Sequence, residues 1–414
     1  MVTARKILDK AVRGDELSAL EAEVLFALEG AGLSDLIAVA DEVRRKLCSE
    51  RVTYVVNRNI NFTNVCVKRC GFCAFSRGHR AEEGYFLPLE EVVRRAREAK
   101  ELGATEVCLQ AGLPPRMKGS YYIDLCRAIK RELPDIHLHA FSPEETLYGA
   151  SRSECTVERY LAELKEAGLG SMPGTSAEIL DDEVRERISP GRISTANWLH
   201  VIRTAHNLGI PSSSTMMFGH VESPSHRAAH LALLRDTQKE TAGFTEFVPL
   251  SFIHTEAPMF LKSLVPGIQP GPSEEDVIRT YAVSRLMLRG WIDNIQASWV
   301  KQGPAFAARC LQAGANDFGG TLINESISTA AGAPHGQFLR PAEIRAWIRG
   351  AGRIPAERST VYRIIRPFET EPAQPDPLDL VASGSPFGAY RELTASTEFR
   401  FRDRAQHQSG GQCE

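Results

Sequence analysis

The 414-residue chain lacks the features that mark several large classes of protein. No apolar run approaches the roughly 18–20 residues that a membrane span needs. The N-terminus, Met1-Val2-Thr3-Ala4-Arg5-Lys6, leads into a charged helical pattern without an apolar leader or a cleavage site. Neither sign of charge dominates, because 49 basic and 52 acidic side chains leave a net charge of −3. This balance gives no field for binding nucleic acid or anionic lipid, and we expect neither as a partner.

Cysteine is also sparse, with nine residues in a chain that is too long to need disulfide bonds for stability. The odd number favours a reducing compartment, so we expect a cytoplasmic protein. Hydrophobic residues make up 43% of the chain and charged residues 24%, close to the average for soluble globular proteins. The composition therefore predicts a globular protein with a full hydrophobic core.

A repeated order of helix, glycine and strand runs through the middle of the chain. Apolar residues recur at helical spacing from 88 to 102, Gly103 ends the segment, and the β-like stretch 106–110 follows. The same order recurs around Gly168, Gly209, Gly290 and Gly314. Candidate strands lie at 53–64, 105–110, 136–141, 169–172, 212–218, 245–253, 294–299 and 315–321. Eight such units predict an α/β fold of the (β/α)8 TIM-barrel type, with a doubly wound open sheet as the alternative.

The composition divides the chain into three parts. Residues 1–50 predict an N-terminal helical extension, since apolar residues recur at Leu17, Leu20, Val24, Leu25 and Leu28. Residues 51–365 contain the predicted barrel. Residues 366–414 predict a Pro-rich, partly disordered tail whose last ten residues form exposed coil, because prolines recur there at 367, 372, 375, 377 and 386.

Three of the nine cysteines, Cys66, Cys70 and Cys73, lie close together after the first predicted strand. Closely spaced thiolates suit zinc or an iron–sulfur cluster. Structural zinc needs four ligands, and His79 could supply the fourth, but no second Cys or His pair follows. A 4Fe–4S cluster normally takes four cysteines, so three would leave one iron open to an added ligand. The position also favours catalysis, because barrel enzymes place their chemistry at the carboxyl ends of the strands.

With Phe72 just before the last cysteine, this Cys-x3-Cys-x2-Cys motif resembles the signature of radical S-adenosylmethionine (SAM) enzymes. Further strings resemble the subgroup that holds the deazaflavin (FO) synthase subunits and two enzymes of the futalosine route to menaquinone. From about residue 50 to 365, the pattern most resembles the FO synthase subunit 2 family. The strings are Asn59-Ile60-Asn61-Phe62-Thr63-Asn64, His139-Ala140-Phe141-Ser142-Pro143, Gly170-Ser171-Met172-Pro173-Gly174-Thr175, Met216-Met217-Phe218-Gly219-His220-Val221-Glu222, Gln296-Ala297-Ser298-Trp299 and Asn324-Glu325-Ser326-Ile327-Ser328.

The resemblance implies a cofactor set and a reaction. Cys66, Cys70 and Cys73 would bind a 4Fe–4S cluster whose open iron chelates SAM, and reductive cleavage would yield a 5′-deoxyadenosyl radical. In the family, this radical takes hydrogen from the amino group of L-tyrosine. Cleavage of the Cα–Cβ bond then gives 2-iminoacetate and a 4-hydroxybenzyl radical, which adds to C5 of 5-amino-6-(D-ribitylamino)uracil. An electron donor is needed, and the product would pass to FO synthase subunit 1, since this chain has a single cysteine triad.

Cofactor binding needs partners for the methionine moiety of SAM. Arg192 offers a bidentate fork for its carboxylate, and Glu178 could bind the ribose or the ammonium group, although a solvated charge on a helix is the commoner role of each residue type. The stretch Gln110-Ala111-Gly112 stands where the superfamily often has Gly-Gly-Glu, so a carboxylate is missing there. The predicted cofactor-binding residues are Phe72, Gln110, Ser171, Thr175, Glu178 and Arg192.

Two histidines and three late polar residues complete the candidates. His139 and His220 could shuttle protons, because imidazole titrates near neutral pH, although a lone histidine is more often structural. Gln296, Ser298 and Asn316 lie near the ends of late strands, where they could bind the uracil edge or the ribityl hydroxyls.

Two other functions remain compatible with the sequence. One is a futalosine-route radical SAM enzyme of the same subgroup. The other is a non-catalytic iron–sulfur or zinc protein that uses the triad for stability or electron transfer.

Overall fold

The computed structural model describes residues 3–382 and 387–402. The helices are α1 (Ala4–Arg13), α2 (Ala19–Phe26), α3 (Gly30–Cys48), α4 (Leu89–Glu101), α5 (Tyr121–Glu132), α6 (Pro143–Arg152), α7 (Val157–Glu166), α8 (Asp182–Ile188), α9 (Thr195–Asn207), α10 (Pro224–Thr241), α11 (Pro258–Leu261), α12 (Glu274–Leu288), α13 (Trp299–Gln302), α14 (Pro304–Cys310), α15 (Ile327–Ala330), α16 (Pro341–Gly350) and α17 (Tyr390–Ala395). The strands are β1 (Arg51–Val55), β2 (Asn57–Ile60), β3 (Glu106–Leu109), β4 (His137–Ala140), β5 (Ser212–Phe218), β6 (Phe244–Ser251), β7 (Asp317–Gly320), β8 (Ile354–Arg358) and β9 (Ile364–Pro367). Within these residues, no helix has the length and apolar character to cross a membrane.

The strands close into a ring. Parallel ladders join β2 to β3, β3 to β4 and β5 to β6. β1 directly precedes β2 in the chain. It pairs with β7, and this pairing closes the ring. The remaining contacts are single parallel bridges, His139 to Ser171, Met172 to Ser212, Phe247 to Ile295 and Gln296 to Asp317. The predicted (β/α)8 barrel is therefore confirmed, and the open-sheet alternative is wrong. The first predicted strand, which comprises β1 and β2, pairs with β3 on one side and with β7 on the other.

Two predicted strands are shorter than expected. The stretches 169–172 and 294–299 contribute only bridges, at 171–172 and 295–296. Pro173 follows the first of these and has no N–H with which to extend a ladder, and α13 begins at Trp299. Two strands were not predicted. β8 pairs in parallel with β1, and β9 pairs antiparallel with β8, so together they extend the sheet away from the ring.

The helices lie outside the strands with their apolar faces inward. In α4, for example, Val92, Ala96 and Ala99 are buried at helical spacing. Of the three helices of residues 4–48, α2 and α3 pack against α10 and α12, and α1 packs on α3. Two long arginines fix the loops between them, since Arg235 Nη1 donates to the Leu17 carbonyl (2.6 Å) and Arg279 Nε donates to the Leu28 carbonyl (2.9 Å).

The described part of the predicted tail folds onto the barrel. Leu378, Tyr390 and Leu393 are buried, and α17 lies beside the segment that follows the cysteines. The Phe86 N–H donates to the Phe399 carbonyl and the Phe401 N–H to the Gly84 carbonyl, each at 2.8 Å. The expectation of a loose, extended tail is therefore corrected for 366–382 and 387–402, because apolar residues between the prolines find contacts on the barrel. Pro386 and residues 405–414 lie outside the described residues.

Charged side chains meet near the amino-terminal end of the barrel. Arg358 donates to both carboxylate oxygens of Asp317, at 2.6 and 3.0 Å. From the turn between β8 and β9, the Tyr362 hydroxyl donates to the Glu246 carboxylate. Asp317 and Glu246 both lie near the beginnings of their strands. We call these four residues the polar plug.

Candidate active site

A cavity of about 380 Å³ lies at the carboxyl ends of the barrel strands. Its wall is formed by residues from the strands and from the loops that follow them, and it reaches residues early in their strands, such as Glu106, Ser213 and Glu246. This placement is the usual position of an active site in a (β/α)8 barrel, and the volume falls within the range of small-molecule sites. Representative wall residues are Cys66, Cys70, Cys73, Gln110, Glu145, Thr175, Met217, Ser251, Ser298, Lys301 and Glu325.

The loop that carries the three cysteines is held firmly by backbone contacts. The Gly71 N–H donates to the Ile188 carbonyl (2.8 Å), and the Met259 N–H donates to the Gly71 carbonyl (2.7 Å). A side chain at position 71 would place its Cβ 2.8 Å from the Met259 Cβ, so the clamp requires glycine. Cys66, Cys70 and Cys73 are all free thiols on the cavity wall. The loop therefore presents three sulfur ligands to one enclosed space.

The arrangement favours a cluster over a single ion. Among residues 3–382 and 387–402, no three His, Cys, Asp or Glu side chains gather around one metal position. His79, the proposed fourth zinc ligand, is exposed and does not belong to the cavity wall. A 4Fe–4S cluster needs no common point, since each cysteine binds a different iron. The three thiols around one cavity thus fit the cluster.

Burial raises the pKa of the Cys70 thiol to about 12, against the opposite effect of the nearby Arg192 guanidinium. Burial also raises the pKa of Cys66. Both thiols are therefore protonated near neutral pH. Binding of iron must release these protons, because the thiolate is the ligand.

Arg192 and Glu178 form a buried pair beside the cysteines. Arg192 donates to the Glu178 carboxylate and, through Nη2, to the Ser176 hydroxyl at 2.8 Å. Its guanidinium carbon lies 5.4 Å from the centre of the Phe72 ring, and its Nε lies 3.5 Å from Glu144. Ser176 and Glu178 both have positive φ values, 66° and 41°. Strained backbone of this kind is concentrated at functional sites.

Deeper in the cavity, His139 lies near Glu106. Burial lowers the pKa of His139 to about 4, although the Glu106 charge acts in the opposite direction. The imidazole is therefore neutral at physiological pH. Its Nδ1 is 2.7 Å from the Ser171 hydroxyl, and the same hydroxyl is 2.7 Å from His137 Nε2. Ser171 accordingly fixes the orientation of two histidines.

Most of the predicted site residues meet in this cavity. Gln110 and Thr175 bond to each other, with the Thr175 hydroxyl donating to Gln110 Oε1 at 3.2 Å. The predicted residues on the wall are Cys66, Cys70, Phe72, Cys73, Gln110, His139, Thr175, Glu178, Arg192, Gln296 and Ser298.

Three predicted residues lie elsewhere. Ser171 stands behind His139. The side-chain oxygen Oδ1 of Asn316 accepts from Arg285 and from the Ile295 N–H, so this side chain supports the strands. His220 lines a separate, smaller cavity, where its Nδ1 accepts from the Val221 N–H at 2.8 Å.

Several wall residues were not singled out from the sequence, among them Glu145, Glu246 and Lys301. Lys301 follows the string that ends at Trp299 and therefore carried a positional signal. Glu246 lies early in its strand, and its inward direction becomes visible only with the register of the closed barrel.

Comparison with known proteins agrees with this geometry. The family model of the Radical SAM superfamily matches residues 60–234, and the model of the CofH/MqnC C-terminal region matches residues 241–370. Fold and cysteine loop thus define a radical SAM enzyme, a class that implies a 4Fe–4S cluster and SAM as cofactors.

The most informative relatives are named 5-amino-6-(D-ribitylamino)uracil–L-tyrosine 4-hydroxyphenyl transferase. The protein from Methanothermobacter thermautotrophicus is 51% identical over 87% of this chain and 97% of its own length. That from Methanocaldococcus jannaschii is 46% identical over 85% and 98%. The chain belongs to the family of these transferases. It also matches FO synthase of Nocardia farcinica at 50% identity, over 82% of this chain but 39% of that protein.

Two solved structures share the fold. Methylornithine synthase has a TM-score of 0.63 at 20% identity, over 84% of this chain and 97% of that one. The FeFe-hydrogenase maturase HydG from Carboxydothermus hydrogenoformans has a TM-score of 0.67 at 18% identity, over 87% and 80%.

Proposed function

We propose that this chain transfers the 4-hydroxybenzyl group of L-tyrosine to C5 of 5-amino-6-(D-ribitylamino)uracil in the biosynthesis of the deazaflavin FO. The by-products are 2-iminoacetate, 5′-deoxyadenosine and methionine. The observation that carries the proposal is the opening of three free cysteine thiols onto one cavity of about 380 Å³ in a chain of this family. A space of that size suits small substrates and excludes bulk water from the reacting groups.

In this proposal, the cysteine side of the cavity holds the cofactors. Cys66, Cys70 and Cys73 bind the cluster, which together with SAM supplies the radical that begins the reaction. Arg192 and Glu178 offer one cation and one carboxylate beside the loop, matching the charges of a methionine moiety. Phe72, Gln110 and Thr175 complete this wall.

The opposite part of the cavity receives the organic substrates. Gln296 and Ser298 contribute donors and acceptors on the wall, as the uracil edge or the ribityl hydroxyls require. His139 lies on the cavity wall and is the proposed proton acceptor when the uracil adduct forms.

The partner and the cellular setting follow from the same comparison. FO synthase of Nocardia farcinica is much longer than the segment that this chain matches. This supports a division of labour in which FO synthase subunit 1 takes the product of this chain. The free cysteines of the described residues support a reducing cytoplasm, where an electron donor would be at hand.

One anaerobic assay tests the function. Reconstituted protein is incubated with a reductant, SAM, L-tyrosine and the ribitylaminouracil, and the products are identified by mass spectrometry. We expect 5′-deoxyadenosine together with a 4-hydroxybenzyl–uracil adduct. Deoxyadenosine without the adduct would contradict the proposed substrates and direct attention to futalosine-route substrates. Absence of both from a cluster-loaded sample would favour the non-catalytic alternative.

A further inference from the structure

Four basic side chains line the active-site cavity, and three of them already have acidic partners. Lys68 pairs with Glu144 at 3.1 Å, Arg192 pairs with Glu178, and Arg358 belongs to the polar plug. Lys301 is the fourth. Within the described residues, its ammonium group has no carboxylate within 4.0 Å and makes no side-chain hydrogen bond.

Glu325, the acidic group whose charge acts most strongly on Lys301, does not form an ion pair with it. Glu325 instead caps α15, since the Ser328 N–H lies 2.9 and 3.0 Å from its two oxygens and the Thr329 N–H lies 3.3 Å from Oε2. Burial lowers the pKa of Lys301, and the charge of Glu325 raises it. An unpaired ammonium group in a partly buried wall is unfavourable. Such an arrangement is typical of a binding site for an anion.

Lys301 follows a different strand of the ring from Arg192, although the charges of Cys73 and Glu178 still act on its pKa. Arg192 lies after the fourth strand position of the ring, at 171–172, whereas Lys301 lies after the seventh, at 295–296. Three strand positions in a ring of eight place the two cations on different walls. Apolar side chains share the wall with Lys301, namely Phe252, Val300, Leu322 and Ile327. A cation beside an apolar surface fits an amino acid with an aromatic side chain.

We propose that Lys301 binds the α-carboxylate of the L-tyrosine substrate and thereby places its amino group and Cβ in the cavity. The inference rests on the proposed function and adds the residue that selects an amino acid over a simple phenolic amine. The methionine moiety of SAM carries the same carboxylate chemistry, so the test must separate the two.

The test compares Lys301→Met and Lys301→Arg with the wild-type holoenzyme. Lys301→Met should raise the KM for L-tyrosine roughly tenfold to a hundredfold, since a charge-assisted hydrogen bond is lost. The KM for SAM, measured through 5′-deoxyadenosine formation, should stay within about twofold. Lys301→Arg should recover most of the tyrosine affinity. Tyramine, which has no carboxylate, should inhibit wild type and Lys301→Met equally.

Two controls exclude a structural effect. Lys100→Met makes the same change on the exposed face of α4 and should leave both KM values unchanged. The melting temperature of Lys301→Met should equal or exceed that of wild type, because an unpaired charge leaves a partly buried wall.

Either of two results would overturn the role of Lys301. One is an unchanged KM for L-tyrosine in Lys301→Met, and the other is a raised KM for SAM, which would assign the lysine to the methionine carboxylate. Both results require a wild-type enzyme that forms the adduct. A cluster-loaded wild type that neither binds L-tyrosine in calorimetry nor forms the adduct would refute the proposed function and this inference together.

Discussion

Single residues show how closely the cysteine loop is fitted to the barrel. A Cβ at Gly112 would lie 2.3 Å from the Val65 carbonyl oxygen, and a Cβ at Gly71 would collide with Met259. The Val67 N–H also donates to the Leu113 carbonyl at 2.8 Å. The segment after β3 therefore runs directly beside the cysteine loop. Glycine takes the position at which the superfamily often has a glutamate, and the charged groups near the thiols are the Arg192–Glu178 and Lys68–Glu144 pairs.

The cysteines give the first prediction at this scale. Cys66→Ala, Cys70→Ala and Cys73→Ala should each lose the cluster and all adduct formation, because three ligands are the minimum that holds it. Iron content and visible absorption after anaerobic reconstitution are the measurements. Cys155→Ala, at a partly buried thiol between α6 and α7, is the matched control and should retain four irons. An iron-loaded, active Cys70→Ala protein would contradict the assignment.

Among the elements, α10 is tied to the barrel by a buried histidine. His230 Nδ1 accepts from the Leu180 N–H, and its Nε2 donates to the Thr215 carbonyl, each at 3.0 Å. Both ring nitrogens are thus used by a neutral imidazole. Burial lowers the pKa of His230 to about 3, while the bond to Thr215 has a smaller, opposite effect.

A pH dependence of stability follows from this depressed pKa. Between about pH 6.5 and 3, the unfolded chain binds a proton at His230 that the folded chain does not. The contribution of His230 to the free energy of unfolding should therefore be fully present above pH 6.5. Below that pH it should fall by about 1.4 kcal/mol for each pH unit. His230→Gln should have a smaller slope between pH 6.5 and 5 in urea unfolding. Equal slopes in both proteins would show that His230 is not the titrating group.

The helix α2 allows a matched comparison of buried and exposed leucine. Leu25 is 0% exposed and Leu20 is 76% exposed in the same helix. Leu25→Ala should lower the free energy of unfolding by about 2–5 kcal/mol, since it removes a core side chain and leaves a cavity. Leu20→Ala should change it by less than about 0.5 kcal/mol. Thermal unfolding of the two variants measures the difference, and similar melting temperatures would argue against the packing of α2 on α10.

At the scale of the whole molecule, the two ends of the described chain support opposite parts of the barrel. The N-terminal helices α2 and α3 pack on α10 and α12. The segment 387–402 packs on the stretch after the cysteines, where the Tyr390 ring lies 5.4 Å from that of Phe75. Cluster retention should thus depend on residues far from the cysteines in sequence.

This dependence can be measured with two neighbouring residues of α17. Tyr390→Ala removes a buried ring from above the cysteine loop and should make the visible absorption of the cluster decay at least about fivefold faster in air, because local opening becomes more frequent. Arg391→Ala, at an exposed position, is the control and should decay at the wild-type rate. Identical decay in both variants would exclude a protective role for α17.

Much of this architecture could be predicted from local sequence. Six of the eight strand positions and the cysteine loop are marked by apolar runs, glycines and spacing, which are properties of neighbouring residues. β8 was missed because its partner, β1, is about 300 residues away in the chain. His220 was expected at the site but lines a separate cavity, where it bonds within its own loop. The lack of an ion-pair partner for Lys301 could not be predicted from neighbouring residues, because it depends on which groups the carboxylates of distant elements bind.

The polar plug has a consequence for the order of events. Because Arg358 and Asp317 join at the base of the barrel, we expect molecules to enter the cavity from the carboxyl ends of the strands. A molecule that lies near Glu246 must arrive before whatever occupies the space beside the cysteines, and it must depart afterwards. We therefore expect three small reactants that share this cavity to bind in a fixed order, with the deepest one binding first and leaving last.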